Sequence, residues 1–226
     1  MSTAETTAES GKETELSPQF HVAHHFDSAD TQFDAGRMGI WLFLVTEVLL
    51  FGGLFCAFAI FRSWYFDSFV EAHHHLDKVM GGINTVVLIS SSLTMALAVR
   101  SAQQSKKELT AILLAITLAC AFAFLCIKYV EYSHKFHEGL LPGKYFSAEG
   151  FHTKHPGVFF AIYFMMTGIH GVHVVIGMCL ITWILRRTMR GEFSSRYYAP
   201  VEGVGLYWHL VDLIWIYLFP LLYLVG

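Results

Sequence analysis

The stretch that decides the fold is residues 157–185, GVFFAIYFMMTGIHGVHVVIGMCLITWIL, which contains no Asp, Glu, Lys or Arg. A helix needs about 20 apolar residues to cross the roughly 30 Å hydrocarbon core of a bilayer. Strands of a membrane barrel are about 10 residues long and alternate apolar with polar residues. Because this run is continuous and much longer than a strand, it predicts a transmembrane helix.

Four further runs carry at most one charge each: Met38–Phe61, Val79–Val99, Leu109–Ile127 and Val204–Val225. We therefore predict an all-α membrane bundle of five transmembrane helices at about 37–66, 78–100, 108–134, 156–187 and 200–225. Together they form a domain over residues 36–226. The composition agrees, since 54% of the chain is hydrophobic and 15% is charged, against about 25% charged in soluble domains. An ordinary soluble domain is excluded, and so is a nucleic-acid binder, because the net charge is −3.

Residues 1–35 precede the first run and are strongly acidic, with Lys12 as their only Lys or Arg. Their Ser, Thr, Glu and Ala content predicts an acidic, partly disordered arm. The arm has neither the basic start and apolar centre of a signal peptide nor the Arg-rich composition of a mitochondrial transit peptide. These features favour a multi-pass protein of the bacterial inner membrane.

The basic residues of the loops predict the orientation of the bundle. Nine Lys and Arg residues fall on the side of the N-terminal arm and five on the other side, and the strongest element is RRTMR at 186–190. Basic loops stay on the cytoplasmic side. We therefore expect a cytoplasmic N-terminus.

Polar side chains inside membrane spans are costly and by default suggest function. At about 1.5 Å rise per residue, five ionisable residues fall in one layer near the middle of the membrane. They are Glu47, His170, His173, His209 and Asp212. Lys128 and Glu131 form a polar pair at the predicted outer boundary.

Three interpretations of these residues stay open. Asn84, His170, His173, His209 and Asp212 could fix helix packing through buried hydrogen bonds. Glu47 is the candidate for a proton-handling role. Glu131 and His134 have the spacing of di-iron carboxylate bundles, but their depth differs from that of Glu47, so no metal site and no catalytic residue is predicted. The glycine pairs at 52–53 and 81–82 are predicted to allow close helix contacts.

Four blocks resemble the conserved regions of cytochrome c oxidase subunit III, a family of the haem–copper oxidases. They are MGIWLFLVTE at 38–47 with FGGLF at 51–55, KYVEY at 128–132, FMMTGIHGVH at 164–173, and GLYWHLVD at 205–212 continued by WIYLFPLLY at 215–223. The blocks follow the family's order, touch four of the five spans and together extend over residues 36–226. Many family members have seven helices, so this sequence resembles the five-helix bacterial form.

The resemblance implies an accessory subunit with no cofactor of its own in a proton-pumping oxidase that passes electrons from cytochrome c to oxygen. Haem and copper would belong to partner subunits I and II. The chain would pack on subunit I, bind phospholipid, support proton uptake and stabilise the complex during turnover, and it could join a larger respiratory supercomplex.

Other functions remain as alternatives. Within the superfamily these are subunit III of a ubiquinol oxidase and an accessory protein of nitric oxide reductases, although FPLL at 219–222 looks more like the cytochrome c branch. Outside it, a stand-alone transporter or membrane metalloprotein is possible. No internal repeat of the kind common in transporters is visible.

Overall fold

The computed structural model describes residues 29–147, 151–153, 155–195 and 197–224. Its helices are α1 (Ala29–Trp64), α2 (Phe66–Ala72), α3 (Lys78–Gln103), α4 (Lys107–His137), α5 (Pro156–Met189) and α6 (Ala199–Phe219), and α6 continues into a π-helical turn at Pro220–Leu224. Five of the described helices are long and apolar enough to cross a membrane. The predicted all-α bundle of five spans is confirmed.

The boundaries differ from the prediction mainly at the first helix. Residues 29–35, which were assigned to the acidic arm, form the first turns of α1. Residues 1–28 of the arm lie outside the described residues. The short helix α2 was not predicted, because Asp67 and Glu71 interrupt its apolar pattern, yet it buries Ser68, Phe69 and Ala72.

Helices α3 and α4 form a hairpin held by small hydroxyl side chains. The Thr94 and Thr117 hydroxyls are 2.7 Å apart, and the Ser101 and Thr110 hydroxyls are also 2.7 Å apart. Such residues allow helix backbones to approach closely and still bond across the contact. The turn between the helices contains Ser105 at φ 57°.

Only one of the two predicted glycine pairs lies at a close contact. A Cβ atom on Gly81 would come within 2.7 Å of the Phe219 ring, so α3 and α6 touch there. Gly82 and the pair 52–53 have open space where a side chain would lie, so they make no close contact with another helix of the described chain. Gly177 provides the equivalent contact on α5, against Trp208 of α6.

The core lies around α6, where Trp208 and Trp215 are fully buried. By contrast, α1 is the least buried of the five spans. In its most apolar segment 17% of the residues are buried, against 50% in that of the last span. In a bundle that crosses a membrane, apolar side chains on an outer helix face lipid or a partner chain. Helix α1 is therefore the most peripheral span, and α6 is the central one.

A carboxylate clamp joins α2 to the segment before α5. Glu71 accepts hydrogen bonds from the His152 N–H at 2.7 Å, the Thr153 N–H at 3.1 Å and the Thr153 hydroxyl at 2.7 Å. These bonds, the one from the His152 N–H above all, hold the pKa of Glu71 below its usual value. The clamp fixes the backbone of His152 and Thr153 at the end of the bundle where α1, α4 and α6 end.

Candidate functional site

The first ionic centre joins the peripheral helix to the bundle. Glu47 of α1 and His173 of α5 meet with Oε2 and Nε2 2.7 Å apart. Both side chains are 13% exposed. The Phe51 ring packs edge-on against the imidazole at 5.1 Å, and the Tyr207 hydroxyl donates to the His173 carbonyl at 3.0 Å. Glu47 and His173, which were predicted to lie at the same depth in the membrane, are therefore in direct contact.

The bonding of His173 favours a shared proton at this centre. Nδ1 lies 2.8 Å from the Ile169 carbonyl oxygen, which only accepts, so Nδ1 carries the hydrogen there. Neither a bare Nε2 nor a carboxylate can donate to the other. The 2.7 Å contact therefore needs one more proton, carried by the imidazole or by Glu47. With that proton the Glu47–His173 pair has no net charge.

The second ionic centre is buried among α4, α5 and the π-helical turn after α6. Lys128 donates to Glu131 at 2.9 Å, to the Tyr163 hydroxyl at 3.0 Å and to the Tyr223 hydroxyl at 3.1 Å. Glu131 also accepts from Tyr223 at 2.6 Å, from Tyr163 at 2.8 Å and from Lys135 at 3.3 Å. All three N–H groups of Lys128 are used, and the carboxylate has four donors.

The predicted polar pair of Lys128 and Glu131 is part of this second centre. The two side chains are 9% and 2% exposed, so the pair faces the inside of the bundle, and its depth at the outer membrane boundary stays a prediction. The sequence analysis missed Lys135, Tyr163 and Tyr223 as partners. Lys135 could have been found from its position four residues after Glu131 on the same helix face. The two tyrosines could not, because they come from other helices.

A ladder of polar contacts joins α3 to α6. Ser92 and His209 meet at 2.7 Å between the hydroxyl and Nδ1. The indole N–H of Trp208 donates to Ser91 at 3.0 Å, and that of Trp215 donates to Thr85 at 3.1 Å. His209 thus contacts α3 directly, which supports its predicted packing role.

Three further predicted packing residues, Asn84, His170 and Asp212, are 0%, 0% and 2% exposed. The Asp212 carboxyl lies next to the Ser92 hydroxyl of α3, whereas the side-chain polar atoms of Asn84 and His170 have no hydrogen-bond partner within the described part of the chain. His170 instead packs its ring against Phe124 and Trp215, at 5.7 and 5.3 Å. The packing role of these three residues stays a prediction.

The residues considered for a metal do not converge. Within the described ranges, no group of three or more His, Cys, Asp or Glu side chains could hold a metal ion. Glu131 is buried at 2% exposure, whereas His134, three residues later, is exposed. In the histidine run at 73–75, His74 and His75 are exposed, whereas His73 is 6% exposed, and burial lowers the pKa of its imidazole.

A groove runs along the outer side of α4 and α5, with a volume of about 420 Å³. Gly168 and Gly171 lie on α5 at its lining, and both have open space where a Cβ would be. Most of the lining is apolar, and Lys128 is its only charged residue among those described.

The chain is similar to known proteins over most of its length. The family model for cytochrome c oxidase subunit III matches residues 19–226. A cytochrome c oxidase subunit 3 of Synechocystis is 33% identical over 85% of this chain and 76% of its own length. A probable quinol oxidase subunit 3 of Staphylococcus aureus is 29% identical, over 91% and 96%. A longer haem–copper oxidase subunit I+III of Aeropyrum pernix is 29% identical over 85% of this chain and 23% of its own length.

Proposed function

The chain belongs to the cytochrome c oxidase subunit III family, and on that premise we propose that it is the cofactor-free accessory subunit of a proton-pumping haem–copper oxidase. The observation that carries the proposal is the family match over residues 19–226. The chain packs against subunit I, and the subunits I and II hold the haem and copper. The Aeropyrum protein, whose name joins subunits I and III, supports the contact with subunit I.

Cytochrome c is the electron donor that we propose for this oxidase. The Synechocystis relative carries that name at 33% identity, and the sequence at 219–222 resembles the cytochrome c branch. The Staphylococcus relatives, at 29% identity, favour quinol as the second candidate.

The site that supports proton uptake is the Glu47–His173 pair. It holds one proton between two side chains, lies on the most peripheral span and is partly accessible. The pair is neutral while it holds the proton and carries one negative charge after the proton leaves, so a new proton is drawn back to it. The pair thus stores a proton next to subunit I, where the oxidase consumes and pumps protons.

The groove between α4 and α5 is the best candidate site for a bound phospholipid. The groove opens on the outer side of a bundle that crosses a membrane, its lining is mostly apolar, and its glycines leave room for an acyl chain. We place the protein in the bacterial inner membrane, with the N-terminus in the cytoplasm.

The test is to tag this chain, extract it in mild detergent and assay the purified material. We expect a complex that contains haem and reduces oxygen faster with reduced cytochrome c than with a quinol. Faster turnover with quinol would reassign the donor. A chain that is never recovered with a haem protein would contradict the whole proposal.

A further inference from the structure

The groove between α4 and α5 is polar at one end and apolar at the other. Lys128, Tyr132 and Thr167 line the first end, where the Tyr132 and Thr167 hydroxyls meet at 2.5 Å. Leu125 of α4 and Ile176 of α5 line the second end. Ile176 follows Thr167 by nine residues, which is about 13 Å along a helix. This profile suits a ligand with a polar head at the Lys128 end and an apolar chain along the helices.

The polar end of the groove borders a centre with an excess of positive charge. Lys128 and Lys135 both bond Glu131, at 2.9 and 3.3 Å, so two ammonium groups share one carboxylate. The three side chains are 9%, 4% and 2% exposed, respectively. The hydroxyls of Tyr163 and Tyr223, which also bond Lys128, keep their protons at neutral pH. Two positive charges and one negative charge leave the centre with one positive charge in excess.

The hydrogen bonds of Lys128 do not remove its charge from the groove. Its three N–H groups are used inside the bundle, but the side chain also lines the groove, and Nζ lies 5.2 Å from the centre of the Tyr132 ring. A charge in a medium of low dielectric constant acts over several ångströms, and a buried charge without compensation is costly. Glu138, three residues after Lys135, is exposed and so is screened by water. An anionic group at the polar end of the groove would balance the centre.

We propose that the groove binds an anionic phospholipid, with its phosphate at the Lys128 end and an acyl chain along Gly168 and Gly171. This rests on the proposed phospholipid site and adds the charge of the lipid. Lys128 is predicted to lie at the outer membrane boundary, where lipid phosphates lie. A zwitterionic lipid carries a cation beside its phosphate and balances the centre less well.

The size of the groove favours an acyl chain over a helix of a partner subunit. A helix about 10 Å wide and of the same length as the groove fills roughly 1,000 Å³. The groove holds about 420 Å³. A single chain therefore matches it better.

The test transfers the purified oxidase complex into nanodiscs of equal parts phosphatidylglycerol, which is anionic, and phosphatidylcholine, which is zwitterionic. Native mass spectrometry then identifies the lipids that stay bound. Gly171→Leu fills the groove, since a Cβ on Gly171 meets open space. The lipid that wild type retains and this variant loses is the groove lipid. We expect it to be phosphatidylglycerol with a preference of about fivefold, the ratio that one charge gives near a membrane surface.

Lys128→Gln tests the source of this preference. A glutamine amide keeps hydrogen-bonding atoms in the centre and removes one positive charge, so that Lys135 and Glu131 balance each other. The variant should keep a groove lipid but bind the two lipids equally. Lys78→Gln, at an exposed position in the first turn of α3, is the matched control and should keep the preference.

The possible failures are distinguishable. Equal binding of the two lipids in wild type overturns the proposal and leaves the phospholipid site in place. A haem-containing complex in which Gly171→Leu loses no lipid removes the site as well, while the assignment as an accessory subunit stands. A preference that persists in Lys128→Gln contradicts the role of the charge, and cryo-electron microscopy density for a partner helix in the groove overturns the proposal. If Lys128→Gln does not assemble, wild type and Gly171→Leu still decide it.

Discussion

The two ionic centres of this bundle differ in how their carboxylates are bonded. Glu131 is 2% exposed and accepts from two lysines and two tyrosines. Glu47 is 13% exposed and, among the described residues, has His173 as its one hydrogen-bond partner. A carboxylate with four donors is held in one geometry and one charge state, whereas a pair with one shared proton can exchange it. The comparison supports a stabilising role for Glu131 and is the basis on which we propose proton handling for Glu47.

The largest effect is expected from Glu131→Gln. It removes the only carboxylate from a centre with two buried ammonium groups, and breaking a buried pair costs about 3–5 kcal/mol. The complex should lose thermal stability or fail to assemble, which a thermal unfolding assay measures. Glu138→Gln, at an exposed position at the end of the same helix, is the matched control. Equal stability of the two variants would show that Glu131 does not hold the bundle together.

A smaller effect is expected from Tyr223→Phe. It removes one donor to Glu131, at 2.6 Å, and one acceptor of Lys128. Losing a bond in a buried centre costs about 1–3 kcal/mol. Tyr217→Phe, whose residue is 61% exposed on the same helix, is the control. An unfolding temperature as high as that of the control would mean that the remaining donors satisfy the carboxylate.

The sequence predicts this fold well because the length of an apolar run can be read from the local sequence alone. The five spans follow from uncharged runs, and the predicted starts at 78 and 156 match the observed helices. The second ionic centre could be predicted only in part, since Tyr163 and Tyr223 reach it from α5 and from a π-helical turn. The position of a residue along one helix does not show whether its side chain faces lipid or the other helices. The inward orientation of Lys128 and Glu131 therefore could not be predicted either.

Glu47→Gln should change stability little and function more. A glutamine amide can still donate to Nε2 of His173, so the cost should stay under about 1 kcal/mol. The shared proton is lost, and proton uptake or sustained turnover of the oxidase should fall. Stopped-flow proton uptake and long-term oxygen consumption measure this. Glu108→Gln, exposed in the first turn of α4, is the control, and identical turnover of the two variants would remove the proposed role.

The smallest effect concerns the Glu71 clamp and pH. The pKa of Glu71 is lower in the folded chain than the usual 4.5. The clamp therefore stabilises the folded chain fully at pH values above 4.5. The contribution is lost as pH falls through the folded pKa. The advantage of wild type over Glu71→Gln in protease resistance of residues 151–153 should therefore disappear on acidification. An advantage that persists in acid would show that the charge of Glu71 is not involved.

The most direct measurement of the account is haem per tagged chain in complexes purified from wild type, Glu47→Gln and Glu131→Gln. We predict that wild type and Glu47→Gln retain the same haem content, carried by partner subunits, and that Glu131→Gln loses it. Haem bound to the isolated chain, or loss of haem in Glu47→Gln but not in Glu131→Gln, would contradict the account.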